Sequence, residues 1–170
     1  VIVWADGVTR YSGSTSALGG KDGGDGGFVE VSGKQHLAFR GQVDTSAIRG
    51  KTGTLLLDPT DITIQDGGTT DIESSESGGT TTFQETTPTD TSVLTVADLL
   101  STLETNNVVV TASSAAAGGG DITVADPVNT TADLNADRFL TLDGRNITID
   151  AAIDATQGGN ARALDVNLNT

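Results

Sequence analysis

The sequence predicts an all-β fold, a β-solenoid in which short strands wind into coils of about 25 residues that stack in parallel. Three observations predict it. The first is a repeat: Asp121-Ile-Thr-Val-Ala-Asp-Pro-Val-Asn-Thr-Thr131 recurs one such period later as Asn146-Ile-Thr-Ile-Asp-Ala-Ala-Ile-Asp-Ala-Thr156. Ile122 aligns with Ile147, Thr123 with Thr148, Val124 with Ile149 and Val128 with Ile153. A unit of this size cannot bury its apolar face alone, so copies must stack. The second is the β-branched, alternating character of each copy, which makes the stacked unit a strand rather than a helix. The third is composition. The 170 residues include 22 Gly, no Cys and no Met, and aromatics are only 4%. A compact globular core draws on more aromatic and Met side chains, whereas stacked coils need only thin layers of Val, Ile, Leu and Ala.

Weaker echoes extend the repeat along one domain covering residues 1–170. Leu37-Ala-Phe39 lies one period before Ile62-Thr-Ile64, and Phe139-Leu-Thr-Leu142 lies about one period before Ala163-Leu-Asp-Val166. Tyr11-Ser-Gly13 echoes Phe39-Arg-Gly41 at a slightly longer offset, so coil length drifts where turns absorb insertions.

In chain order, Val1-Ile-Val-Trp4 and Thr9-Arg-Tyr11 are strands. Gly19-Gly-Lys-Asp-Gly-Gly-Asp-Gly-Gly27 is a loop of residues that tolerate positive φ. Phe28-Val-Glu-Val31, His36 to Arg40 and Gln42 to Thr45 follow as strands. Thr54-Leu-Leu-Leu57 ends at Asp58-Pro59, because proline cannot donate to a ladder, and Ile62-Thr-Ile64 resumes. Half of the positions in 67–92 are Ser or Thr, and the stretch holds five acids and no base. That composition buries little apolar surface, so 67–92 reads as an extended acidic loop, of a kind that can carry O-linked sugar. Apolar residues at 96, 99, 100 and 103 have helical spacing and predict one short flanking helix over 96–105. Thr95 caps its start with Asp98, and Asn106-Asn107 ends it. Val108-Val-Val110 returns to strand, and Gly118-Gly-Gly120 turns into the repeat.

The expected core is Val29, Val31, Leu37, Phe39, Leu55, Leu57, Ile62, Ile64, Ile122, Val124, Ile147 and Ile149. Ile122 should stack on Ile147 in a parallel ladder of ~4.8 Å spacing, with Thr123 and Thr148 outward.

The formal net charge is −14, and all of it falls between Thr52 and Asp137, where 14 acids meet no base. This excludes nucleic acid, whose phosphates need Lys and Arg, and anionic membrane surfaces. No run approaches the ~18 apolar residues of a membrane helix, and no signal peptide is visible. The chain opens in strand pattern without Met and reads as a piece of a longer protein.

Gly23-Gly-Asp-Gly-Gly-Phe-Val-Glu-Val-Ser-Gly33, Val43-Asp-Thr-Ser46 and Gly53-Thr-Leu-Leu-Leu-Asp-Pro-Thr-Asp-Ile-Thr-Ile64 resemble filamentous haemagglutinin-like exoproteins, the large adhesins exported by two-partner secretion. The helix, the Val-rich strand, Gly-Asp-Ile-Thr-Val124 and Asn-Ile-Thr-Ile149 extend the resemblance over nearly the whole chain. It implies a right-handed parallel β-helix, an extracellular or cell-surface location, a role in adhesion or matrix, and a host or matrix carbohydrate or protein as receptor. The family's N-terminal secretion domain and any Arg-Gly-Asp motif are missing from this stretch, which matches a shaft more than a tip.

Catalytic chemistry is not expected, and neither is a cofactor. His36, the only histidine, has no Ser or Cys partner indicated and cannot form a multi-histidine metal site. Gly118-Gly-Gly-Asp121 lacks the Lys-Ser/Thr of a phosphate loop. The 19–27 run lacks the tandem nonapeptide of calcium-binding β-rolls. Asn129-Thr-Thr131 and Asn146-Ile-Thr148 match the N-glycosylation pattern, which an abundance of Thr produces by chance. Two alternatives to an adhesive shaft remain. One is a polysaccharide-active enzyme on the same fold, marked by clustered carboxylates. The other is a calcium-stabilised scaffold, with Asp58, Asp61 and Asp66 as the candidate oxygen donors. The expected partners are further coils of the same protein or other copies, stacked end to end on apolar terminal strands that carry no polar cap.

Overall fold

The computed structural model describes residues 1–67, 92–112, 120–129, 134, 136–154 and 163–170, together with the backbone of two strands within 72–85. The chain forms a β-solenoid. A first coil runs through β1 (Ile2–Ala5), β2 (Val8–Tyr11) and β3 (Ser14–Ser16), and a second through β4 (Phe28–Gly33), β5 (His36–Phe39) and β6 (Gln42–Asp44). The third begins with β7 (Thr54–Pro59) and β8 (Ile62–Gln65). It departs through β9 (Ile72–Ser77) and β10 (Thr80–Glu85), and returns through β11 (Ser92–Thr95) and helix α1 (Val96–Leu103). Then come β12 (Asn107–Ala112), β13 (Asp121–Val124) and β14 (Val128–Asn129), followed by β15 (Arg138–Gly144), β16 (Asn146–Ile149) and β17 (Ile153–Asp154). The last strand is β18 (Leu164–Asn169).

One side of the solenoid is a six-stranded parallel sheet in the order β1-β4-β7-β12-β15-β18. Its register stacks like on like. Val3, Val31, Leu57, Val110, Leu142 and Leu168 occupy one rung position, and Val29, Leu55, Val108, Leu140 and Val166 occupy another. The four central members of each row that lie between flanking strands are at most 1% exposed. The second side carries β2-β5 and the sheet β11-β8-β13-β16, in which Ile122 pairs with both Ile62 and Ile147, and Val124 with Ile64 and Ile149. β3-β6 and β14-β17 supply the third side. Tyr11 pairs with Phe39, and their rings stack 5.4 Å apart.

Several expectations need correction. Leu37-Ala-Phe39 and Ile62-Thr-Ile64 are not neighbours, because β11 lies between them. Leu94 pairs with Ile64, and the Leu37 N–H donates to Ser92 Oγ at 2.9 Å. Strand 92–95 has the same buried alternation as its neighbours, so it competes for that place. Phe139 pairs with Asp165 rather than Ala163, a shift of two residues that keeps every side chain on its own face. The 67–92 loop contains the antiparallel pair β9-β10, with Thr80 opposite Ser77, and Ser92 belongs to β11. Runs such as Thr80-Thr-Thr-Phe83 have β propensity that a count of polar residues overlooks, and Gly78-Gly79 stands between the two strands in sequence. The rest of 68–91 lies outside the described residues. Helix α1 stops at Leu103, two residues short of 105, and the N–H groups of Thr105 and Asn106 share the Thr102 carbonyl just beyond it. At its start, Thr95 accepts from the Asp98 N–H.

The glycine run at 19–27 is explained by close stacking of corners. A Cβ on Gly26 would lie 1.7 Å from the Thr45 carbonyl oxygen, and one on Gly53 would lie 2.0 Å from that of Gly27. Only glycine lets these backbones approach.

Of the expected core, Val29, Val31, Leu37, Phe39, Leu55, Leu57, Ile62, Ile64, Ile122 and Val124 are buried. Ile147 is only partly buried and Ile149 is 43% exposed. Both hold core register, but among the described residues no strand covers β16 on its far side. Position in the stack therefore decides what an identical rung is worth. Leu57→Ala should lower stability by about 2–5 kcal/mol, and Leu168→Ala on the same row by less than about 1 kcal/mol, in urea unfolding of this chain. Equal losses would refute the ladder order.

Candidate functional site

Where the third side of the solenoid would take another strand, the chain places α1. Neighbouring strands sit ~4.8 Å apart, whereas a helix with its side chains is ~10 Å across. Substituting one for the other builds a ledge, and α1 lies against β6. Between the C-terminal part of α1 and the β3-β6 pair runs a groove of about 370 Å³. Ser14, Ser16, Gln42 and Asp44 line one wall, and Ser101 and Glu104 the other. Among the described residues, no Lys or Arg lines it.

Both walls are fixed from beneath. Asn106, fully buried, donates from Nδ2 to the Val43 carbonyl at 2.7 Å and the Thr102 carbonyl at 2.8 Å. Its Oδ1 accepts from the Thr45 N–H at 2.9 Å and the Thr45 hydroxyl at 2.7 Å. One amide thus ties the helix end to the strand that forms the opposite wall. Arg138, 2% exposed, closes the helix C-terminus from the other side, donating to the carbonyls of Leu103 and Glu104. Cationic donors suit that end of a helix, and burial pushes this guanidinium below its ordinary pKa while the Asp137 charge opposes the shift. In sequence Asn106 reads only as a helix stop and Arg138 as one base among nine. Nothing local to either residue signals its long-range partners.

The calcium candidates are dispersed. Asp61 Oδ1 is occupied by the N–H groups of Gly120 at 2.8 Å and Asp121 at 2.9 Å. Asp66 is exposed, its N–H bonded to Asp126 Oδ2, and Asp58 is half-buried at the end of β7. Among the described residues, no three His, Cys, Asp or Glu side chains gather closely enough to hold a metal ion. His36 does have a serine neighbour: Nδ1 lies 3.5 Å from Ser92 Oγ. Ser92 is 1% exposed and its Oγ already accepts the Leu37 N–H, so the pair fastens β11 to β5 and offers no accessible nucleophile.

The ends of the solenoid are open. Among the described residues, β1 and β18 are the edge strands of the six-stranded sheet, each paired on one side. Val166 and Leu168 are 39% and 50% exposed, although they continue the rows of fully buried Leu140 and Leu142. At the other end Val3, in the row of buried Val31, is only partly buried. No protein-family model and no curated protein matches this chain. Among the described residues no helix is long and apolar enough to cross a membrane.

Two outcomes follow. Asn106→Ala should cost about 2–4 kcal/mol in denaturant unfolding, because it strands the buried Thr45 N–H and leaves the Val43 carbonyl only the Thr105 hydroxyl; a loss below about 1 kcal/mol would mean the amide is not the tie described. The second concerns Asp121, whose carboxylate accepts from Asn146 Nδ2 at 2.8 Å and Arg145 Nη2 at 3.0 Å. These bonds lower its pKa, the Asn146 bond most. A depressed folded pKa gives stabilisation that is complete above the unfolded value of about 3.9 and lost as pH falls through the folded value. The thermal midpoint of the parent should therefore fall further than that of Asp121→Asn as the pH drops from about 5 to about 2. Parallel profiles would contradict this.

Proposed function

We propose that this chain is a segment of a rigid β-helical shaft in an extracellular or cell-surface adhesive protein, of the filamentous haemagglutinin-like kind. The observation that carries the reading is the condition of the terminal rungs. Side chains such as Leu168 sit in the register of a buried core row yet stay half exposed, beside an edge with free N–H and C=O groups. A further coil, from the same protein or from another copy, would bury those rungs and satisfy that edge. Such a head-to-tail contact is heterologous and does not close on itself, so it lengthens a rod. The six strands of the long sheet span about 24 Å at ~4.8 Å per step, so length comes from adding coils. The net charge of −14 favours extension along the axis over side-by-side clumping. The two-partner secretion resemblance supplies the location and the adhesive role, with a host or matrix carbohydrate or protein as receptor.

Two measurements test the parts separately. Immunogold labelling of intact, unpermeabilised source cells with antibodies to the Glu30 side of the six-stranded sheet should mark material outside the cell; labelling only after permeabilisation would overturn the location. In the full-length protein, Leu168→Asp should cost about 3 kcal/mol or more, because it would bury a charge between coils. A cost below about 1 kcal/mol would mean that nothing covers the rung and no shaft continues there.

A further inference from the structure

We propose that the outer face of the six-stranded sheet is a docking surface for a cationic amphipathic helix of another protein, whether or not the coil stack continues. The observation behind it is a break in alternation. The inward rows of both large sheets are aliphatic, as a solenoid core requires. Outward on the β11-β8-β13-β16 sheet, Thr63, Thr123 and Thr148 stack in register, and Val93 is the one apolar member of that row among the described residues. The long sheet obeys the same ladder constraint, yet its outward positions hold Ile2, Trp4, Phe28, Leu56, Val109 and Phe139. Strand formation does not demand these side chains, and the shaft reading does not need this face to be apolar. Trp4, Phe28 and Phe139 are the exposed aromatic residues of the described chain, at 54%, 49% and 47%. Exposed apolar residues are ordinarily scattered, whereas a contiguous group rimmed by polar residues marks an interaction site. Trp and Phe are also enriched at the centres of interfaces.

The register makes the group contiguous. Leu56 pairs directly with Val109. Phe28 stands beside Thr54, diagonal to Leu56. The Phe139 N–H donates to Asn107 Oδ1 at 3.1 Å, which puts that residue diagonal to Val109. The two phenylalanines are three strand steps apart, about 14 Å, and bracket Leu56 and Val109. Ile2 and Trp4 extend the surface past Glu30. The charged rim selects the partner. Glu30, Asp58, Asp143 and Asp165 are the charged outward residues of the six strands, and among the described residues none there is Lys or Arg. A second copy laid on this face would oppose carboxylate to carboxylate, and anionic lipid meets the same repulsion. A segment with Lys or Arg flanking an apolar stripe meets both features. Its apolar side covers Phe28, Leu56, Val109 and Phe139, and its bases reach the carboxylates and the open ring faces. The sheet spans about 24 Å across its strands, which is the rise of a helix of about 16 residues.

Amide shifts of the isotope-labelled protein test this with a Leu-Lys peptide of about 16 residues, its leucines at helical spacing. The controls are a peptide of the same composition with its leucines dispersed around the helix, a Leu-Glu peptide of helical spacing, and phosphatidylcholine vesicles. The Leu-Lys peptide should saturate at a concentration on the order of micromolar and shift the amides of 28–30, 54–58, 107–111 and 139–143. Leu56→Ser with Phe139→Ser should weaken it about tenfold or more. Glu30→Gln with Asp165→Asn, which keeps the apolar surface and the thermal midpoint, should weaken it by about threefold or more. Asp150→Asn, exposed beyond β16, should leave it unchanged. Silence from the Leu-Lys peptide overturns the proposal, as does equal binding by the dispersed or the Leu-Glu peptide. So do vesicles that reproduce the response, or the same amides shifting with protein concentration alone, which would give the face to a second copy.

Discussion

The structure depends on parallel hydrogen bonding at a fixed spacing. Each coil must set its strands ~4.8 Å above the last, in register, or lose a ladder. Everything placed on a rung then meets the residue of the same rung in the next coil. Val3, Val31, Leu57, Val110, Leu142 and Leu168 are therefore all aliphatic, although the chain distances between them vary widely. Leu57 and Val110 lie about twice as far apart along the chain as Val31 and Leu57, yet both pairs are direct neighbours in the sheet. The spacing is indifferent to chain length. Insertions leave at corners, where glycine lets backbones touch, as at Gly26 and Gly53.

Where the ladder cannot be continued, buried polar side chains take over. The β5-β11 boundary has the Ser92 hydroxyl bonded to the Leu37 N–H. At the helix, Asn106 binds the Val43 carbonyl and the Thr45 N–H on the neighbouring coil, and Arg138 binds the carbonyls left open at the helix C-terminus. Each of these groups is satisfied, which is the condition for burying it at tolerable cost. The groove beside α1 is a by-product of the same substitution, since a helix is wider than the rung it replaces.

Legibility in the sequence followed from locality. The Ile122/Ile147 register could be read because both copies are intact and adjacent, so alternation and repeat agree. Tyr11 with Phe39 could be read for the same reason. The helix could be read from four apolar positions and a capping threonine. The one-period spacing of Leu37-Ala-Phe39 and Ile62-Thr-Ile64 does not give their placement, because chain order is not stacking order there and β11 lies between them. The Ser/Thr-rich stretch hid two strands, because composition reports polarity and not β propensity. The groove could not be read at all. Its walls come from three segments, and its rigidity from Asn106 and Tyr11, whose partners lie across coils.

The position of β11 also bears on the order in which the protein acquires its shape. A solenoid whose coils stack in chain order can zip from one end, each new coil docking on a finished one. Here β8 has no proper neighbour on the side of the second coil until Ser92–Thr95 has been made and folded back beside it. On one side of the solenoid β4 and β7 can join as soon as both exist; on the other, β5 must wait for a strand encoded far later in the chain. On this side the stacking order therefore departs from the chain order, β11 being seated between β5 and β8 although both precede it in sequence. Helix α1, which follows β11, packs against β11, β6 and β12, so the out-of-order strand is joined directly to the next coil.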